Sequence, residues 1–175
     1  MRYTRPLWNS ELLARSFLDK LDAKTAKEER DQVGVLLVGH GQPDEWDVEF
    51  PTETEQETRS REKVMDLLVA NGYARENISL AWMSFKHPTP TEKINEMAQR
   101  GVHKVFFFSS AISAEGIHSQ VDIPELVEKA KAAKGMEIID LGAWNDHPLV
   151  IAAIKERADA AMRGGGRTRG SSKQL

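Results

Sequence analysis

Four short apolar runs alternate with helical segments along this chain, and few folds accommodate that rhythm. Val33 to Val38 (VGVLLV), Ile78 to Met83, Val102 to Phe108 (VHKVFFF) and Met136 to Leu141 (MEIIDL) have strand length and are largely apolar. Runs of that kind suit strands covered on both sides. Between them, Thr54 to Ala70 carries Val64, Leu67 and Leu68 at helical spacing and is closed by Asn71-Gly72, while the stretch before Thr54 reads as a polar loop. Pro88 and Pro90 hold back the next helix to Thr91, and Gly101 ends it after Arg100. Ile123 to Ala133, with Pro124 in its first turn, and Pro148 to Met162 complete the set. The pattern predicts an α/β fold with a four-stranded parallel sheet and helices on both faces. Right-handed crossovers make 2-1-3-4 the expected strand order.

Residues 1–32 precede this unit as a helical extension. Asn9 or Ser10 caps a helix carrying Leu12, Leu13, Phe17 and Leu21, which ends in the charged stretch Lys24 to Asp31. That apolar stripe needs a partner surface, its own domain being favoured over a second protomer. The α/β domain is expected over 33–162. Residues 163–175 (RGGGRTRGSSKQL) have nothing to bury and read as a disordered basic tail. Because that tail holds Arg163, Arg167, Arg169 and Lys173 with no acid, the rest of the chain is more acidic than its net charge of −3. An acidic body argues against nucleic-acid binding, which rests on phosphate neutralisation. No cysteine is present, which excludes disulfides, thiolate chemistry and Cys-held metals. No run approaches the roughly 20 apolar residues of a membrane span, and the N-terminus lacks a signal peptide's apolar stretch. The expectation is a soluble, cytoplasmic protein.

In a sheet of order 2-1-3-4 ligands bind at the carboxyl ends of the strands, beside the reversal between the first and third. The loops that follow those two strands each carry a histidine. His40 stands between Gly39 and Gly41, and His118 ends the segment Ser109-Ser110-Ala111-Ile112-Ser113-Ala114-Glu115-Gly116-Ile117-His118. The topology brings both to one crevice. His87, on the loop after the second strand, borders the same end, whereas His103 reads as a partly buried strand residue and His147 as a helix cap. The acids Asp44, Glu45, Asp47, Glu49 and Glu53 form either a solvated loop or a surface that attracts metal and passes protons outward. Leu37 to Gly41 superficially matches the Arg-His-Gly of histidine phosphatases, but Gly39 replaces the phosphate-holding arginine.

Three segments together, Val38-Gly39-His40-Gly41, Ala81 to Pro90 (AWMSFKHPTP) and Gly116 to Pro124 (GIHSQVDIP), resemble the short sirohydrochlorin cobaltochelatase type of class II tetrapyrrole chelatase, related to ferrochelatase. The resemblance covers roughly residues 33–162, and Gly116-Ile117-His118 followed by Asp122-Ile123-Pro124 is its most specific part. It implies ATP-independent insertion of a divalent metal (cobalt, iron or nickel) into a tetrapyrrole such as sirohydrochlorin, without an organic cofactor, by a homodimer. His40 and His118 become the metal-binding and catalytic pair. Gly39, Gly41, Phe85, Lys86, Ser110, Ala111, Ile112 and Ser113 become candidate substrate contacts, with Trp46 and Trp82 as possible covers for a macrocycle face and Trp82 more readily core. Ser84 departs from the pattern, since many relatives carry a carboxylate there.

The chemistry suits the residue types. Imidazole binds every first-row candidate without selecting among them, and it can take a proton near neutral pH. One histidine holds the metal while the other accepts protons, or both ligate it. An acidic approach would repel the carboxylates of sirohydrochlorin, so Lys86 and backbone N–H groups near Ser109 to Ser113 are expected to offset it. The rival reading is a non-catalytic metal or tetrapyrrole carrier on the same fold.

Overall fold

The computed structural model describes residues 4, 6–110, 125, 128 and 135–163. Its centre is β1 (Gly34–Gly39), buried at every position, so both faces of the sheet must be covered. β1 pairs in parallel with β2 (Ile78–Trp82) on one side and β3 (Lys104–Ser109) on the other, and β3 pairs in parallel with β4 (Glu137–Asp140). The order is β2-β1-β3-β4, as the alternation requires.

Two-residue periodicity along the strands divides the core in two. Val35, Leu37, Phe106 and Phe108 face one layer, where they meet Leu13, Phe17 and Leu21 of α1 (Glu11–Asp22), Val64 and Leu68 of α3 (Pro51–Ala70), and Val150 of α5 (Pro148–Met162). Leu36, Val38, Val105 and Phe107 face the other, against Ile94 and Met97 of α4 (Pro90–Gln99). α1 is fixed at both ends: the Ser10 hydroxyl accepts from Leu13 N–H, and Tyr73 donates to Asp22 at 2.7 Å. Between them Phe17 meets Phe108 edge-on at 5.1 Å. Each fully buried Leu or Phe contributes about 1.5–3 kcal/mol, so this helix belongs to the core by energy as well as contact.

Two expectations need correction. The polar loop before Thr54 is largely helical: α2 (Asp44–Glu49) precedes α3, which begins three residues earlier at Pro51. Asp44, Glu45 and Asp47 lie in the first turn of α2, where the helix dipole favours acids, and Pro51 starts the next helix at a position that needs no N–H donor. His103 is exposed rather than partly buried, because β3 begins only at Lys104. Its backbone carbonyl accepts from Glu137 N–H at 2.9 Å. Of the helix expected over 123–133, Glu125 and Glu128 are helical and exposed, and the remainder lies outside the described residues, as does the basic tail from 164 onward. Among the described residues no helix is long and apolar enough to cross a membrane.

Candidate functional site

At the carboxyl end of β1 the chain turns through Gly39, His40 and Gly41, and β2 continues beside it. Met83 N–H donates to Gly39 O at 2.8 Å and Ser84 N–H to His40 O at 3.0 Å, so strand pairing extends past the sheet into the loops. Gly41 has φ +81°, and a Cβ there would collide with the Ser84 carbonyl. Glycine is required on both counts. Ser84, the position without a carboxylate, thus acts through its backbone on the His40 turn.

Glu57, the seventh residue of α3, grips the turn through its side chain. Its two carboxylate oxygens accept from His40 N–H and Gly41 N–H, each at 3.3 Å. The imidazole Nδ1 of His40 lies 2.7 Å from Gly41 O. A carbonyl only accepts, so Nδ1 carries the hydrogen and the lone pair of the neutral ring resides on Nε2. That is the arrangement by which a backbone carbonyl fixes the tautomer of a metal-binding histidine. The Phe85 ring stands 6.5 Å from the imidazole, exposed, on a backbone with φ 65°. A non-glycine residue held there costs about 1–3 kcal/mol, a strain concentrated at functional loops.

Arg61, like Glu57, is a charged residue of this region outside the sequence motifs. It is 1% exposed. Its Nη1 donates to Ala81 O at 2.6 Å, with a longer 3.5 Å contact to Leu37 O, and its Nε donates to Glu57 O at 3.2 Å. The guanidinium lies 3.8 Å from the Trp82 ring, a cation–π contact, and on the other side a Cβ at Gly39 would be 2.8 Å from Cζ. Gly39 is therefore bare because Arg61 occupies its side-chain space. Burial lowers the Arg61 pKa to about 10, with Glu57 and Glu62 opposing the fall. A signal existed: position 61 falls on the same helical stripe as Val64, Met65 and Leu68, so a charge there had to be buried. Glu57, four residues earlier, continues the same stripe and carries the same signal.

Other predicted residues take varied places. Lys86 pairs with Asp44 at 3.0 Å and, more closely, with Asp47, while Asp47 also accepts from Gln42 and Thr54. Its ammonium is spent on α2, so it does not offset the acids toward a substrate. Lys86, with Thr54 and Gln42, pulls the Asp47 carboxyl down to about 2. Trp82 is buried and Trp46 exposed. His87 contacts Glu92 at 3.1 Å on the exposed start of α4, and His147 caps α5 by accepting from Leu149 N–H. Ser110 donates its hydroxyl to Val38 O at 2.7 Å, two residues before His40. Ala111, Ile112, Ser113 and His118 lie outside the described residues, so the convergence of the two histidines stays an expectation. Among the described residues no group of three or more His, Asp or Glu is arranged to hold a metal.

Order 2-1-3-4, a histidine turn at the switch point and helices on both faces define an open α/β protein of the chelatase-like class. The chain belongs to the CbiX family, whose model matches residues 34–161. It is 28% identical over 110 residues to the sirohydrochlorin cobaltochelatase of Methanothermobacter thermautotrophicus, a stretch covering 61% of this chain and 66% of that one, just under two thirds of the relative's length. Among solved structures, SirB from Bacillus subtilis, solved with Fe3+, superposes with TM-score 0.66 at 17% identity, covering 91% of this chain and 57% of its own. A CbiX protein from Marinobacter aquaeolei VT8 gives 0.54 at 20% identity, covering 75% of this chain and 98% of its own. At these identities the structures show the fold.

Proposed function

We propose that this chain inserts a divalent metal ion into a tetrapyrrole, with sirohydrochlorin as the substrate and cobalt, iron or nickel as the metal. Family membership supports the reaction class, and the observation that carries it to particular atoms is the Nδ1 contact of His40 with Gly41 O. With Nδ1 holding the hydrogen, Nε2 presents its lone pair either to a metal shedding water or to a pyrrole proton. Two pyrrole N–H protons must leave as the metal enters, so the balanced reaction releases two protons and needs no oxidant. His118 supplies the second imidazole in this reading. Glu57 and the Ser84 backbone act as positioning groups, holding the turn so that the imidazole meets the macrocycle at fixed depth. Phe85 covers part of a macrocycle face, and two copies of the chain supply the two walls that enclose it.

The test is incubation of purified protein with sirohydrochlorin, coproporphyrin or protoporphyrin and each metal, following the absorbance change. Catalytic insertion is expected with at least one pair, and a large loss in His40→Ala and in His118→Ala. Stoichiometric binding without turnover would instead establish the carrier.

A further inference from the structure

A cavity of about 460 Å3 opens beside the His40 turn, between the N-terminal segment and the carboxyl end of the sheet. Leu7 and Trp8 form one wall, Glu57 and Arg61 of α3 another, and Ser110 and Trp144 the third. One wall abuts the His40 turn directly, Glu57 through the N–H groups of His40 and Gly41, and Ser110 touches the strand leading into it through the carbonyl of Val38. Trp144 is held in place by its indole N–H, which donates to Ser110 O at 3.0 Å. The loop carrying Trp144 is anchored in turn by α1, whose Lys20 donates to Leu141 O and Ala143 O. The N-terminal segment thus builds one side of the cavity and braces the other.

We propose that this cavity is a subsite for one carboxylate arm of the tetrapyrrole, with Arg61 as its anchor and Trp8 and Trp144 flanking the apolar stem. The assignment rests on the chelatase reading and deepens it. Arg61 carries the argument. Its Nε and Nη1 are committed to carbonyl oxygens, but Nη2 is buried with no hydrogen-bond partner among the described residues. An almost fully buried guanidinium with an unused donor is a costly arrangement, and because Nη2 is closed to water in the free chain an acceptor reaches it only as the cavity wall gives way. A carboxylate is the acceptor best matched to it in charge and in planar geometry. The depressed pKa of the group agrees, since its desolvation is only partly offset by Glu57 and Glu62.

Size and charge set the stoichiometry. The volume is near the low end of small-molecule pockets, roughly 300–1,000 Å3, which suits an arm and a pyrrole edge rather than a whole macrocycle with all its arms. Glu57 already satisfies two backbone N–H groups, and Glu53 stands exposed at the mouth. With two acids already set against one guanidinium in the lining, only an arm in direct contact with Arg61 is favoured and a second is opposed. The same chemistry would accept a free carboxylate or inorganic phosphate, so the experiment must separate the sources.

The experiment measures binding of two metal-free probes, an octacarboxylate porphyrin and a tetracationic porphyrin, by porphyrin absorbance and tryptophan quenching, in wild type, Arg61→Met, Arg61→Lys and Trp8→Ala. Arg61→Met should raise Kd for the octacarboxylate probe about tenfold or more and leave the tetracationic probe within about twofold, with Arg61→Lys intermediate. Trp8 is half-buried outside the core, so Trp8→Ala is expected to keep the melting temperature and still weaken the octacarboxylate probe selectively, which decides the matter if Arg61→Met does not fold. Equal loss for both probes, or no loss in Trp8→Ala and in any folded Arg61 variant, overturns the subsite. Arg61-dependent quenching saturated by acetate or inorganic phosphate alone, with porphyrin binding unaffected by that saturation, overturns the macrocycle as its occupant. A wild-type protein that binds neither porphyrin nor sirohydrochlorin overturns the chelatase reading itself, whereas one that inserts metal while the variants bind normally overturns only the subsite.

Discussion

At Gly41 a methyl group would meet the Ser84 carbonyl on a backbone of φ +81°, so Gly41→Ala must shift the loop that fixes His40. The expected cost is about 1–3 kcal/mol in thermal unfolding together with loss of metal insertion; a variant with wild-type turnover would show that the turn geometry is not needed. Glu57→Gln is subtler. The amide oxygen can still take one N–H, but its NH2 confronts the other, so the turn loosens while the α3 packing stays. Turnover should fall about tenfold or more with a stability loss near 1 kcal/mol, read from single-turnover insertion and the melting curve. Of these residues the sequence offered Gly39, His40 and Gly41, because a histidine between glycines after a buried strand is a local signature. Glu57 and Arg61 act across 17 and 20 or more residues, on partners that only the folded chain defines. Both could have been placed by helical phase; their targets could not.

The elements were readable where burial was strong and poorly so where it was absent. β1, α3 and α5 declare themselves in the sequence, and α5 runs from Pro148 to Met162 as expected. α2 has no buried residue, so hydrophobic periodicity had nothing to report. Its stability comes instead from acids at its first turn and from Lys86, which ties it to the loop after β2. That tie is pH-dependent with a definite sign. The Asp47 carboxyl, lowered to about 2 chiefly by Lys86, titrates below its unfolded value of roughly 3.9, so its contribution is full above that value and disappears as pH falls toward 2. Glu92, lowered to about 2 first by the Thr89 N–H and then by His87, follows the same course at the start of α4. Side-chain carboxyl NMR shifts should show both midpoints near 2, and Lys86→Met should move that of Asp47 upward and leave Glu92 alone. α1 gives the opposite case. Phe17→Ala removes a ring packed on Phe108 and should cost about 3–5 kcal/mol, lowering the urea midpoint without changing the slope. A loss under 1 kcal/mol would mean that the helix is peripheral to the core.

For the whole molecule the decisive number is how many walls one chain provides. A four-stranded layer with its histidine turn at one end presents a single surface, whereas the proposed reaction would require a flat macrocycle to be shielded from water on both faces. The chain also leaves apolar side chains uncovered close to that surface. Trp46, Val48 and Phe50 in and just after α2, and Phe85 beside His40, are each at least half exposed, and the Lys86 pairing ties α2 to the loop after β2. Scattered exposed apolar residues are ordinary, but four on adjoining segments beside a candidate site suggest a covering surface. A two-fold dimer is the commonest closed way to supply one, and a standard interface removes about 800 Å2 from each partner, which a patch of this kind can seed. Light scattering should therefore report about twice 19.6 kDa at micromolar concentration. Val48→Glu, at the most exposed of the four, should shift the protein toward monomer and lower metal insertion in parallel, with little change in melting of the fold, since the residue is 87% exposed in the single chain. Should the wild type run as a monomer and still insert metal, one wall is enough, and the uncovered residues face the macrocycle alone.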